Sequence, residues 1–236
     1  MDIQNERPVG GTYLAAYAEV HARLAGLVRA DIADVVVPAC PGWRVRDVVA
    51  HLAGLCEDWV ESRLDGYASE RWTADQVSRY ERSTCGEIVA AWAGAMTTFR
   101  SLREPFLGLA PARWAFGDAV IHEADIRGAL GAVRAPDDAV LLSLRGTLMR
   151  WQQVLSGAGA PTLHVRSPDG PDWWLGTVDD PDAVVVETPV YELFRGLTGR
   201  RSLGQAVGWN WSADPHPIVG VGLAYPFRWA STAISD

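Results

Sequence analysis

Three residues of this chain have types and spacing suited to holding a metal ion. His51 lies in AHLAGL, and Asp118 and His122 stand four apart in GDAVIHEADIRGALG. On a helix, residues four apart lie one above the other on the same face, so Asp118 and His122 can reach one ion from a single turn. With His51 from a second helix they make a set of two imidazoles and one carboxylate. Three protein ligands leave a position open for water, a thiolate or substrate, which is the arrangement of a catalytic site. His51 also shares a helical stripe with Val48, Leu52, Leu55 and Trp59, so it points toward the core, where an imidazole needs a partner. Without an ion, it reads as a satisfied core or cleft histidine.

The elements that must position these residues belong to an ordinary globular chain. Its 236 residues suffice for one large domain or two small ones, and 48% hydrophobic residues provide a sizeable core. A formal charge of −8 and a pI near 5.1 argue against a general nucleic-acid or anionic-membrane surface, because phosphate binding needs clustered cations. No apolar run approaches the roughly 20 residues of a membrane span. The start MDIQNERPVGG has no signal-peptide core, so a cytoplasmic protein is expected. Cys40, Cys56 and Cys85 are odd in number and widely spaced, and are expected to be packing residues. Cys56 follows His51 by five positions, roughly 140° around a helix, which speaks against joint metal ligation. A thiol used in catalysis would then come from outside the chain.

The first part of the chain reads as helices. Thr12 can cap a first helix to about Ala33, with Leu14, Tyr17, Ala18, His21, Leu24, Ala25 and Val28 on its apolar face. After VVVPACPGW, a second helix runs from near Arg44 to about Leu64; Arg44 is a poor cap, but Asp47 suits the first turn. Thr73 with Gln76 and Thr84 with Glu87 form two possible capping boxes, and Pro105 stops the helix that follows the second. A fourth main helix begins between Arg113 and Phe116 and ends near Gly131. Composition changes around Val133–Asp138, which divides the chain into a helical domain, 1–134, and a smaller α+β domain, 135–236. The second domain should hold a helix from about Asp138 to Leu155, then strands at Thr162–Val165, Trp173–Thr177 and Ala183–Glu187. VYELFRGLTGRR follows as a helix ending at Gly199, and QAVGWNW as a further strand.

VPACPGWRVRDVVAHLAGL closely resembles the signature of the mycothiol-dependent maleylpyruvate isomerase family, a branch of the DinB-like metalloenzymes. GDAVIHEADIRGALG and ELFRGLTGRR extend the resemblance, in the expected order, over nearly the whole chain. It implies a DinB-like four-helix bundle followed by a small α+β domain similar to sterol-carrier folds. It also implies a divalent metal, usually zinc, held by two His and one acidic residue, and mycothiol, a low-molecular-weight bacterial thiol, as cosubstrate. Position by position, His51 and His122 match the histidine ligands, and Asp118 falls where the family often has Glu. Asp125, three residues after His122, is the alternative acidic ligand or else a partner that orients a histidine. Arg44 stands where relatives often have a Thr or Ser cap. Arg200, in the Gly-Arg turn, matches a family position near the domain cleft, where it would bind a substrate carboxylate bidentately. A helix-end Arg neutralising the last carbonyls, or pairing with Glu192, is the other reading of Arg200.

The function expected from these residues and this resemblance is that of a metal-dependent, mycothiol-using enzyme, an isomerase or thiol S-transferase acting on a small electrophilic substrate. Its partners would be that substrate and the thiol, with no nucleic acid and no membrane. The same ligand set also suits a zinc hydrolase or non-haem iron chemistry. The scaffold could equally serve a non-catalytic binding or sensing protein, with some of the eleven Trp residues lining an apolar cleft.

Overall fold

Residues 10–101 and 109–235 are described by the computed structural model. The stretch before residue 10 and the expected stop at Pro105 lie outside them. The chain folds as two compact units, one ending at Ala135 and the other running from Pro136 to Ser235.

Helices build the first unit: α1 (Gly10–Leu27), α2 (Val45–Val60), α3 (Glu70–Ser78), α4 (Cys85–Ser101) and α5 (Leu109–Ala129). Helix α2 sits at its centre, against α3, α4 and α5, while α1 packs on α4 and α5. That position explains its composition. Val45, Val48, Val49, Leu52, Leu55 and Cys56 are all buried, because neighbours cover more than one face. Each fully buried Val or Leu contributes roughly 1.5–3 kcal/mol. At its start Arg44 has no acceptor with which to cap. Asp47 takes over that role: its Oδ2 accepts the Arg44 N–H at 2.9 Å, while the Arg44 guanidinium pairs with Asp34 at 2.9 Å.

Helix α1 ends at Leu27, short of Ala33, and Thr12 lies inside its first turn rather than capping it. The following segment is committed elsewhere. After a 3-10 turn at Ala30–Ile32, Val37 N–H bonds Trp43 O at 2.9 Å, Val45 N–H bonds Val35 O at 2.9 Å, and Arg46 N–H bonds Ala33 O at 3.0 Å. The buried stripe of α1 is Tyr13, Tyr17, Val20 and Leu24, continued by Val28 just past its end, so Ala25 of the expected face is exposed and Leu14, Ala18 and His21 lie at its margins.

Ser69, not Thr73, caps α3: its Oγ accepts the Trp72 N–H at 3.2 Å, and the Thr73 hydroxyl donates back to Ser69 O at 3.1 Å. Gln76 therefore lies well inside α3 instead of closing a capping box. The box before α4 forms as expected, with Thr84 N–H on Glu87 Oε2 at 2.7 Å and Glu87 N–H on Thr84 Oγ1 at 3.3 Å. Helix α5 is buried on every side from Ala119 to Ile126, including Glu123, whose carboxylate is held by Arg23 at 2.7 Å and Arg127 at 2.9 Å.

The second unit is α+β. It contains α6 (Asp137–Gly157), β1 (Leu163–Arg166), β2 (Trp173–Leu175), β3 (Val184–Glu187), α7 (Val190–Leu197), α8 (Leu203–Val207), β4 (Asn210–Trp211) and α9 (His216–Val219). The sheet order is β2-β1-β3-β4, with β1 and β3 parallel and both outer pairs antiparallel. Helix α7 packs on α6. Only the end of QAVGWNW is a strand. Ser202 and Gln205 form a capping box that turns its first residues into α8. Gly199 ends the Gly-Arg helix with φ +79°, and a Cβ there would lie 2.6 Å from the Arg228 carbonyl oxygen, so only glycine fits. Among the described residues, no helix is long and apolar enough to cross a membrane.

Candidate metal centre

The packing of α5 on α2 and the fold of the α1–α2 connection together build the site. Cys40 N–H bonds Val37 O at 2.9 Å and Trp43 N–H bonds Cys40 O at 2.9 Å, a tight turn that carries both residues. Immediately after it, α2 presents His51 from its second turn. Asp118 and His122 occupy successive turns of α5. His51 Nε2 lies 2.9 Å from Asp118 Oδ2, and His122 Nε2 lies 3.8 Å from Asp118 Oδ1. The three donor atoms fall within 4.8 Å of one another. The imidazoles stand nearly perpendicular, 83° apart in plane with centroids at 5.1 Å. The Trp43 ring lies against both, at 5.3 Å from His51 and 6.1 Å from His122.

The second nitrogen of each imidazole is engaged as well. His122 Nδ1 is 2.9 Å from Asp125 Oδ2, and His51 Nδ1 is 2.7 Å from Gln76 Oε1. Carboxylate and amide oxygens only accept, so each Nδ1 carries a proton and each Nε2 is the nitrogen left to face Asp118. Two imidazole nitrogens and a carboxylate then face one another, an arrangement that is favourable only with positive charge among them, a metal ion or a shared proton. Two imidazole nitrogens and a carboxylate oxygen are the donors that zinc and related divalent ions take, and the residues fit such an ion. An orienting acceptor behind each ligating imidazole is the usual companion of such a site.

Some residues of this cluster went unrecognised in the sequence. Cys40, expected only to pack, is buried with its thiol 3.2 Å from Asp125 Oδ2 and 3.6 Å from His122 Nδ1. Cys40, His122 and Asp125 thereby form a second close group of potential ligands on the far side of the same imidazole. Its signal was the position of PACPGW directly before the histidine helix. Gln76 was hidden by its reading as part of a capping box. Cys56 and Cys85 are buried, none of the three cysteines is in a disulfide, and burial pushes the Cys56 thiol up to about 12. Arg200 belongs to the second unit, where its Nη1 donates to the Thr198 carbonyl at 2.6 Å just past α7. Glu192 pairs there with Arg201, at 2.8 Å.

Residues 14–149 match the family described as the mycothiol maleylpyruvate isomerase N-terminal domain. Among solved structures, the crystal structure of the mycothiol-dependent maleylpyruvate isomerase superposes with a TM-score of 0.58 at 16% identity, over 91% of this chain and 96% of that one. A mutant of that isomerase with one histidine replaced by alanine gives a TM-score of 0.56 at 16% identity and the same coverage. At this identity the likeness is one of fold. No curated protein matches the chain.

Proposed function

The chain belongs to the mycothiol maleylpyruvate isomerase family by its N-terminal domain, and we propose that it is a metal-dependent enzyme that uses mycothiol to isomerise a small electrophilic substrate or to transfer the thiol to it. The observation that carries this reading is the convergence of two Nδ1-protonated imidazoles on Asp118. His51, Asp118 and His122 would hold the ion. A divalent metal bound there would supply Lewis acidity, which favours a thiol in its thiolate form at neutral pH.

The chain's own residues set the rest. Trp43 lies against both imidazoles and would shield that side from water. The Asp118 side chain is 30% exposed while both histidines are only 8% exposed, so its side of the cluster is where thiol and substrate would enter. Negative charge developing on the substrate calls for a cation, the role that the family resemblance suggests for Arg200. In this reading the helical unit is a DinB-like bundle, the second unit is its C-terminal partner domain, and the enzyme acts in the cytoplasm.

Elemental mass spectrometry of the untagged protein tests the reading, alongside His51→Ala and Asp118→Ala. One zinc per chain, lost in both variants together with mycothiol-dependent turnover, is the expected result. A protein that takes up no metal after reconstitution would overturn it.

A further inference from the structure

Beneath His51 lies a run of buried polar groups that reaches from α2 to α3 and back. Gln76 is wholly buried and Asp58 is 2% exposed. The Gln76 amide joins them: Oε1 faces His51 Nδ1 at 2.7 Å, and Nε2 donates to Asp58 Oδ2 at 2.7 Å. The other Asp58 oxygen accepts Arg63 Nε at 2.8 Å and lies 2.8 Å from Arg79 Nη2.

We infer that Gln76 is a positioning residue that locks His51 in its Nδ1–H form, with Asp58 deciding which end of the amide faces the imidazole; the inference rests on the proposed ligand role of His51. Asp58, flanked by two guanidinium groups, is an acceptor. Turning the amide round would set two acceptor oxygens against each other at 2.7 Å, so the NH2 end must face Asp58. The oxygen end is then fixed on His51, where only an N–H satisfies it. Nε2 is thereby the nitrogen left to face Asp118, where its lone pair is available to an ion that binds there. Asp58 follows His51 by seven residues, two turns along the same face of α2, and the amide spans the space between them. Gly54 makes this possible: a Cβ there would lie 2.7 Å from Gln76 Cβ, so glycine lets α3 come close enough. An apolar side chain would fill this wholly buried position at lower desolvation cost, unless both ends of the amide have work to do.

The test combines two readouts on folded protein, checked by circular dichroism. Imidazole 15N NMR of the metal-free protein reports which nitrogen of His51 bears the proton, and competition against a chromophoric chelator gives the affinity for zinc alone. Wild type should show Nδ1–H at His51. Gln76→Leu should lose that single form and bind zinc about ten- to a hundred-fold more weakly. The paired exchange Asp58→Asn with Gln76→Glu should restore both, because the new carboxylate accepts from His51 and from the new amide. Retention of the wild-type tautomer and zinc affinity in Gln76→Leu would overturn the inference. If that variant does not fold, loss of the tautomer in the folded double variant would overturn it instead. A wild type that shows the tautomer but takes up no zinc would sink the metal reading and leave the positioning role standing.

Discussion

Gly54→Ala tests whether α3 is held at the distance the site needs. The added Cβ would meet Gln76 Cβ at 2.7 Å, Gln76 Cγ at 3.0 Å and Arg79 Nη2 at 3.1 Å. Comfortable carbon–carbon contact is about 3.5–4.0 Å, so α3 must retreat by about 1 Å. The 2.7 Å contact between His51 and Gln76 would then open to roughly 3.7 Å, beyond hydrogen-bond reach. Overpacking of this kind costs about 1–3 kcal/mol, against which alanine's better helix propensity returns about 1 kcal/mol. A net loss of about 0–2 kcal/mol is expected from urea unfolding followed by helical circular dichroism. Zinc affinity, measured by chelator competition, should fall as far as in Gln76→Leu. A gain of about 1 kcal/mol with unchanged zinc affinity would refute the reasoning, because that is how an unconstrained helical glycine behaves.

Two further outcomes concern the core around α1. Trp92 donates its indole N–H to the Tyr17 hydroxyl at 2.8 Å in a fully buried setting, so Tyr17→Phe should cost about 1–3 kcal/mol, and an unchanged urea midpoint would count against that bond. Burial raises Tyr17 well above its ordinary 10.0 and takes Cys56 from 9.0 to about 12, so both groups stay neutral in the folded protein while the unfolded chain ionises. Their contribution is therefore complete below pH 9 and is lost as pH rises from there toward about 12. Urea midpoints in that range should fall, and Cys56→Ala should flatten the decline, each group contributing up to about 1.4 kcal/mol per pH unit.

The strongly periodic helices were legible because their burial is one-dimensional: Ile88, Trp92, Met96 and Phe99 of α4 follow the apolar spacing of the chain directly. Helix starts were less so, because several hydroxyl residues compete for each. Thr73 has the right side chain to cap, yet Ser69 lies four residues earlier and takes the first turn, leaving Thr73 to donate back along the helix. The end of α1 was misplaced for a different reason. Residues 28–33 were expected to continue it, but Ala30–Ile32 form a 3-10 turn and Ala33 O accepts the Arg46 N–H across a loop, and nothing in the local pattern announces that pairing. QAVGWNW looked like one apolar strand until the Ser202 and Gln205 cap is counted.

At the site, local spacing was enough for Asp118 and His122, and the apolar stripe of α2 was enough to point His51 inward. Gln76 and Cys40 act across 25 and 82 residues of sequence, so their roles exist only after α3 and the α1–α2 connection have packed. The choice between the two aspartates also needs three dimensions. Both lie within one turn of His122, on either side of it in sequence, but the imidazole separates them: Asp125 meets Nδ1, and Asp118 shares the space before Nε2 with His51. The Asp125 side chain is 0% exposed and already accepts the His122 N–H and the Cys40 thiol, whereas that of Asp118 is 30% exposed. An ion arriving from solvent would therefore meet Asp118 first, with Asp125 holding the ring from behind.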